Sequence, residues 1–108
     1  VLGLHRHLTP MSEFLVTITF PQQLSQEFLS LVPAHRARVN ELMQNGVITS
    51  YSLSVDRSML WITLLAESSE STNLALTNLP LYPYMKYTIH ELMFHNTPMF
   101  ATPRFSVN

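Results

Sequence analysis

Residues 14–20 show an alternating pattern. Phe14, Val16, Ile18 and Phe20 form one set, which is entirely apolar, and Leu15, Thr17 and Thr19 form the other. A period of two among residues that favour extended backbone predicts a β-strand with one strongly apolar face. Pro21 follows directly and ends the strand, because proline cannot donate a backbone hydrogen bond to a sheet.

The next pattern has spacings of three and four, which place its members on one side of a helix. These members are Leu24, Phe28, Val32, His35, Val39 and Leu42. Pro33 lies inside the pattern and lacks a backbone donor, so the sequence predicts either one kinked helix or two short ones. Asn45 and Gly46 end the helix, since glycine readily adopts left-handed backbone after a last turn.

Two further strands are predicted at residues 47–55 and 59–66, joined by a short turn at 56–58. In the first of them, Tyr51, Leu53 and Val55 face one way and serines face the other. The second strand is more hydrophobic, which favours cover on both of its faces.

A second, shorter helix carries Leu74, Ala75 and Leu79, begins at Ser71 or a nearby serine, and ends before Pro80. Residues 86–95 then alternate as a fourth strand, with Glu91 on one face and His90 on the other.

The resulting order, β-α-β-β-α-β, predicts an α+β protein with a ferredoxin-like fold: a four-stranded antiparallel sheet with both helices on one face. The other face carries Leu15 and Trp61 or Ile62, which are too apolar to remain in water. We therefore expect it to pair with a second copy of the chain, giving a dimeric α+β barrel or a larger homo-oligomer.

The length of 108 residues fits one domain, predicted at residues 11–97. Residues 1–10 are interpreted as an N-terminal extension or a remnant of expression, since Met11 resembles an ordinary start. The segment 98–108 is too apolar for a free tail, and we expect it to pack on a neighbouring subunit.

Charge and composition exclude several classes of function. The net charge is -1, and only 12% of residues are charged, so no basic surface is available for nucleic acid or anionic lipid. No apolar run is long enough for a membrane span. The chain has no cysteine, which excludes thiolate chemistry and disulfides and fits the cytoplasm. No cluster with metal-ligand spacing is found in the body of the domain, so we predict no metal.

Residues 79–85 read Leu-Pro-Leu-Tyr-Pro-Tyr-Met, which is similar to the Leu-Pro-Leu-Phe-Pro-Tyr-Met segment of muconolactone isomerases. The resemblance extends over roughly residues 12–97, with anchors at Phe14, Val16, Leu42 and Gly46 and with His95 at a histidine position of the family. It implies a dimeric α+β barrel and cofactor-free transfer of a proton on a small unsaturated lactone carboxylate.

Several residues depart from the family pattern. His35 stands where the family has an acidic residue, Thr49 and Ser50 replace an Arg-His pair, and Thr17 replaces a basic residue. The resemblance thus implies that most of the polar side chains on the catalytic surface of the family are replaced in this chain.

The candidate catalytic residues are His35, Glu91, Tyr84 and His95. His35 is either a general base that titrates near neutral pH or a core histidine bonded to backbone. Glu91 is either a buried carboxylate with a raised pKa or a solvated residue at a sheet edge. Glu91 and His95 are roughly 13 Å apart along a strand, so they cannot touch directly.

The candidate ligand-binding residues are Arg36 or Arg38 for a carboxylate, together with Thr17, Ser50, Trp61 and Tyr82. The tyrosine is either a ligand donor or an anchor of its loop, and Trp61 is expected in the core or the barrel lining.

The sequence therefore predicts a muconolactone isomerase-like protein that binds a small apolar or lactone-carboxylate ligand and catalyses proton-transfer isomerisation. The alternative is a non-catalytic ligand-binding or assembly module on the same barrel. An oxygenase or decarboxylase relative stays open too, because a fold does not fix its chemistry. Convergence of His35 and Glu91 on one cavity would favour the enzyme.

Overall fold

The computed structural model describes residues 10–96, which form one sheet covered by two helices. The elements are β1 (Ser12–Thr19), α1 (Gln26–Gln44), β2 (Ile48–Leu53), β3 (Met59–Ala66), α2 (Ser69–Thr77), a 3-10 turn (Tyr82–Tyr84) and β4 (Lys86–Leu92). The strands lie in the order β2-β3-β1-β4, and every neighbouring pair is antiparallel. This confirms the predicted ferredoxin-like arrangement. The proposed tail at 98–108, and all but Pro10 of the proposed extension, lie outside the described residues.

The core lies between the sheet and the helices. On β1 the alternating residues Phe14, Val16 and Ile18 are fully buried, as the period of two predicted. Val16 pairs with Ile62 on β3, so the two central strands present a continuous apolar surface. The helices cover it with the buried residues Phe28, Val39 and Leu42 of α1 and Leu76 of α2.

Helix α1 runs unbroken through Pro33, so the alternative of two short helices is wrong. Phe28 before the proline and His35 after it lie on the same buried face, and their packing holds both halves in one helix. Pro33 itself is exposed, so the carbonyl of Leu29, which has no N–H partner there, faces the solvent side. Ser25 caps the helix by accepting a 3.0 Å hydrogen bond from the backbone N–H of Phe28.

The start of α1 differs from the sequence prediction, whereas its end agrees with it. Leu24 precedes the helix and is 44% exposed, so it does not belong to the buried face. At the other end, Gly46 has a φ of 77°, as predicted for the residue that ends the helix.

Strand β2 is shorter than predicted. It ends at Leu53, and Val55 is fully exposed in the turn rather than aligned with Tyr51. A bulge between Ile48 and Ser50 shifts the register against β3. A bulge inserts one extra residue into a strand. The side chains of Thr49 and Ser50 therefore both contact Thr63, whereas neighbouring residues of a regular strand would point to opposite faces of the sheet.

Helix α2 and strand β4 also differ from prediction at their ends. Ser68 caps α2, which confirms the predicted alternative of a serine near Ser71, but Leu74 is 64% exposed on the outer side of the helix rather than buried. Strand β4 stops at Leu92, which pairs with Glu13. β1 itself begins only one residue before Glu13, at Ser12, so residues 93–96 are not paired with it and Phe94 is exposed.

The surface of the sheet that the helices do not cover is called here the helix-free face and comprises Leu15, Thr17, Trp61, Thr63 and Leu65. Within one chain, helices therefore cover only one of the two faces of β3, not both as the sequence predicts. Leu65, on the other face, is 37% exposed. No helix within residues 10–96 is both long and apolar enough to cross a membrane.

Candidate functional site

A cleft of about 700 Å³ lies between α1 and the end of the β2–β3 hairpin. Most of its surface is apolar, and it is formed by Phe28, Val32 and Val39 of α1 and by Leu53 and Leu60 of the hairpin. A cleft of this size that is lined mainly by hydrophobic side chains is typical of sites for small organic ligands.

His35 forms part of the wall of this cleft and is only 2% exposed. Its Nδ1 atom accepts a 3.4 Å hydrogen bond from the backbone N–H of Leu81. Its Nε2 atom is buried without a partner. Burial lowers the pKa of the imidazole below 6.5, so the ring is neutral at physiological pH.

The contact at Nδ1 assigns the tautomer. A nitrogen that accepts a hydrogen bond carries no proton, so in the neutral ring of His35 the proton is on Nε2. His35, a residue of the cleft wall, therefore carries at Nε2 a buried hydrogen-bond donor without a partner. A general base would need the opposite arrangement, with the free nitrogen facing the ligand.

Two arginines give the cleft a positive charge. Arg36 lies on the α1 wall and Arg57 on the hairpin wall. Burial raises the pKa of the Tyr51 hydroxyl, against the opposing charge of Arg36, so the phenol remains a neutral donor or acceptor. Among the residues described, no acidic side chain lines the cleft, so no carboxylate of the lining neutralises the positive charge of the two arginines.

Three other predicted residues lie outside the cleft. Arg38 pairs with Glu41 at 2.6 Å on the outer side of α1. The Tyr84 hydroxyl donates to Glu27, and this contact raises the pKa of the tyrosine. Tyr82 packs on Tyr87, with hydroxyls 3.4 Å apart, which fits the interpretation of a loop anchor.

Glu91 and His95 are not brought to His35. Glu91 lies opposite Phe14 near the end of β4, is exposed, and accepts a 2.8 Å hydrogen bond from the Ser12 hydroxyl. His95 follows β4 and is exposed. Neither lines the cleft, so the convergence that favours a catalytic pair of His35 and Glu91 is not observed.

Thr17, Ser50 and Trp61 lie on the other side of the sheet from the cleft. Thr17 pairs directly with Trp61, and Ser50 pairs with Thr63. The Thr63 hydroxyl is 2.5 Å from that of Ser50 and 2.6 Å from that of Thr49. Thr17, Thr49 and Ser50, three of the positions that depart from the family pattern, therefore lie together on the helix-free face, whereas the fourth, His35, lies in the cleft.

Sequence reasoning missed two sets of residues. Thr49 donates to the Glu13 carboxylate, which adds an acidic group beside the helix-free face. The bulge that allows this contact has no marker in the sequence. In the cleft, sequence reasoning missed Arg57 and Tyr51; the one available signal was an arginine directly after Asp56 in a tight turn.

The antiparallel sheet, its strand order and its two helices define an α+β protein of the ferredoxin-like class. Within that class, the model of the muconolactone delta-isomerase family matches residues 12–97, so the chain belongs to this family. This confirms the resemblance carried by residues 79–85. No curated protein matches the chain.

Proposed function

We propose that this protein binds a small, largely apolar lactone or carboxylate in the cleft between α1 and the β2–β3 hairpin. The observation that carries the proposal is the Nε2–H group of His35, which is buried in the cleft wall without a partner. An unsatisfied buried donor costs about 1–3 kcal/mol. A ligand oxygen placed against it recovers that energy, while the apolar walls bind the body of the ligand.

Proton-transfer isomerisation is the second candidate function, and membership of the muconolactone delta-isomerase family favours it. The Nε2–H group of His35 would polarise a ligand carbonyl and so acidify the neighbouring C–H bond. The reaction also requires a proton acceptor. No carboxylate among residues 10–96 lines the cleft, so we propose that the acceptor comes from outside the cleft lining of a single chain.

Pairing of two copies through the helix-free face is part of the same proposal. Leu15 and Trp61 are only half-buried there, and Leu65 is exposed on the same face. A second copy placed sheet to sheet would bury these side chains. Roles for Glu91, Tyr84 and His95, a location in the cytoplasm and the absence of a cofactor stay predictions.

Titration with muconolactone tests the binding proposal. Calorimetry and thermal unfolding of the wild-type protein should show binding, with a stabilisation of about 2.7 kcal/mol at a ligand concentration near 100 times Kd. His35→Phe replaces the imidazole by an apolar aromatic ring and so removes the donor, and it should weaken binding by about tenfold or more. Asn78→Phe introduces the same ring at an exposed residue after α2, away from the cleft and the helix-free face; it is the control and should leave Kd unchanged.

The same ligand in heavy water separates binding from catalysis. An isomerase will move the ring double bond and incorporate deuterium at carbon, both visible by proton NMR. Binding without exchange would leave the binding proposal standing and reject isomerisation. No binding by the wild-type protein, or equal binding by His35→Phe, would reject the proposed site.

A further inference from the structure

We propose that Arg57 determines the charge of the ligand, so that the cleft selects a carboxylate over the neutral amide of the same shape. The inference rests on the proposed function and specifies its ligand class. Arg57 is at the tip of the β2–β3 hairpin and lines the cleft across from α1.

The backbone of Arg57 supports a role beyond the turn itself. Its φ is 65°, the only positive φ at a residue other than glycine within the described part of the chain. Left-handed backbone is unfavourable for a side chain with a Cβ atom, and glycine or asparagine is usual there. An arginine in this position gives up turn stability and places a guanidinium at the cleft.

The neighbouring residues hold that conformation. Asp56 accepts hydrogen bonds from the Ser54 hydroxyl at 2.7 Å, the Ser58 backbone N–H at 3.0 Å and the Ser58 hydroxyl at 2.7 Å. The backbone N–H of Arg57 donates to the Ser54 carbonyl at 2.9 Å. These contacts fix the turn, so Asp56 acts as a positioning residue for Arg57.

The charge of Arg57 is not neutralised within the described residues. The one ion pair that they form joins Arg38 to Glu41, so no carboxylate lies within ion-pair distance of Arg57 or Arg36. Arg36 and Arg57 line the cleft from opposite walls, and His35, which also lines it, adds a neutral donor that has no partner. A ligand carboxylate is the group whose geometry and charge match such donors.

The two parts of the ligand thus have separate partners. The apolar body contacts the walls formed by α1 and the hairpin, and the carboxylate meets the guanidinium groups at the rim. A neutral ligand of the same shape would fill the walls equally well but leave both arginines without a counter-charge. The expected ligand is therefore a small apolar monocarboxylate.

The test compares trans-cinnamate with trans-cinnamamide, which differ only in the carboxylate and amide groups, by calorimetry on the full-length protein. The wild type should bind the acid at least about tenfold more tightly than the amide. Arg57→Gly should lower this ratio by about threefold or more through weaker binding of the acid, with Arg36 retaining the remainder, while Arg57→Lys should retain most of it. Lys86→Gln removes a positive charge from β4, away from the cleft, and should not alter the ratio.

Unfolding by urea separates specificity from a structural role. Because glycine suits the left-handed backbone, Arg57→Gly should unfold at the same or a higher urea concentration than the wild type while losing selectivity. Equal binding of both probes by the wild type, or an unchanged ratio in Arg57→Gly, would overturn the inference but leave the cleft as a binding site. If the wild type binds neither probe, this inference is overturned, whereas the proposed function is rejected only if muconolactone also fails to bind.

Discussion

Replacing His35 by glutamine should remove a pH dependence of folding that the wild-type protein possesses. Burial lowers the pKa of His35 below 6.5 in the folded state, whereas the unfolded chain titrates near the ordinary value. Between these two pKa values the unfolded state binds more protons than the folded state. The free energy of unfolding therefore rises with pH in that window and falls as the solution is acidified below about pH 6.5.

The magnitude follows from a single proton. One group that is protonated only in the unfolded state changes the free energy of unfolding by at most about 1.4 kcal/mol per pH unit. The loss begins near the unfolded pKa and levels off below the folded pKa. Total stabilities of small domains are about 5–15 kcal/mol, so a window of one or two pH units is readily measured.

The assay is urea unfolding followed by the fluorescence of Trp61, from about pH 5 to about pH 8, on the wild type and on His35→Gln. Glutamine stays neutral throughout, so the difference between the two proteins isolates His35. The histidines at positions 5, 7, 90 and 95 are present in both proteins and cancel. Parallel curves for the two proteins would refute the assignment of a buried, neutral imidazole.

Three other substitutions test the account elsewhere in the fold. Pro33→Ala should stabilise the protein by up to about 3 kcal/mol in urea unfolding, because it restores an N–H inside α1; an unchanged or lower midpoint would contradict the description of one continuous helix. The hydrogen bonds from Ser58 hold the pKa of Asp56 at about 2, so its stabilising effect should be present above about pH 4 and disappear as the pH falls through 2; Asp56→Asn should unfold with a weaker acid dependence in that range. Leu15→Lys should separate the paired subunits in light scattering, whereas Leu74→Lys, on the exposed side of α2, should leave the assembly intact; equal masses for both variants would count against pairing through the helix-free face.

Much of the fold was predictable from local patterns. The alternation around Phe14 and the spacing around Phe28 and Val39 reflect burial against one common core, and burial is what creates such periods in a sequence. Gly46 ended α1 as predicted, because its left-handed backbone is a local requirement. The continuity of α1 through Pro33 was undecided, since it depends on packing across the core rather than on the helix alone.

The candidate site was less predictable because long-range contacts create it. His35 was identified from its position on an apolar helical face, but its role as a donor depends on the backbone N–H of Leu81, far away in the sequence. Arg57 appeared only as a turn residue, and its place beside the cleft depends on how the β2–β3 hairpin lies relative to α1. The bulge before Ser50 likewise has no local signature, so the cluster with Thr63 was not foreseen.

The most direct test of the cleft is a nitrogen-15 NMR spectrum of the imidazole rings at neutral pH, recorded before and after addition of trans-cinnamate. We expect a neutral His35 with its proton on Nε2, and we expect the Nε2 resonance to move when the acid binds. A proton on Nδ1, a charged ring, or a His35 resonance that does not respond to a bound acid would contradict it.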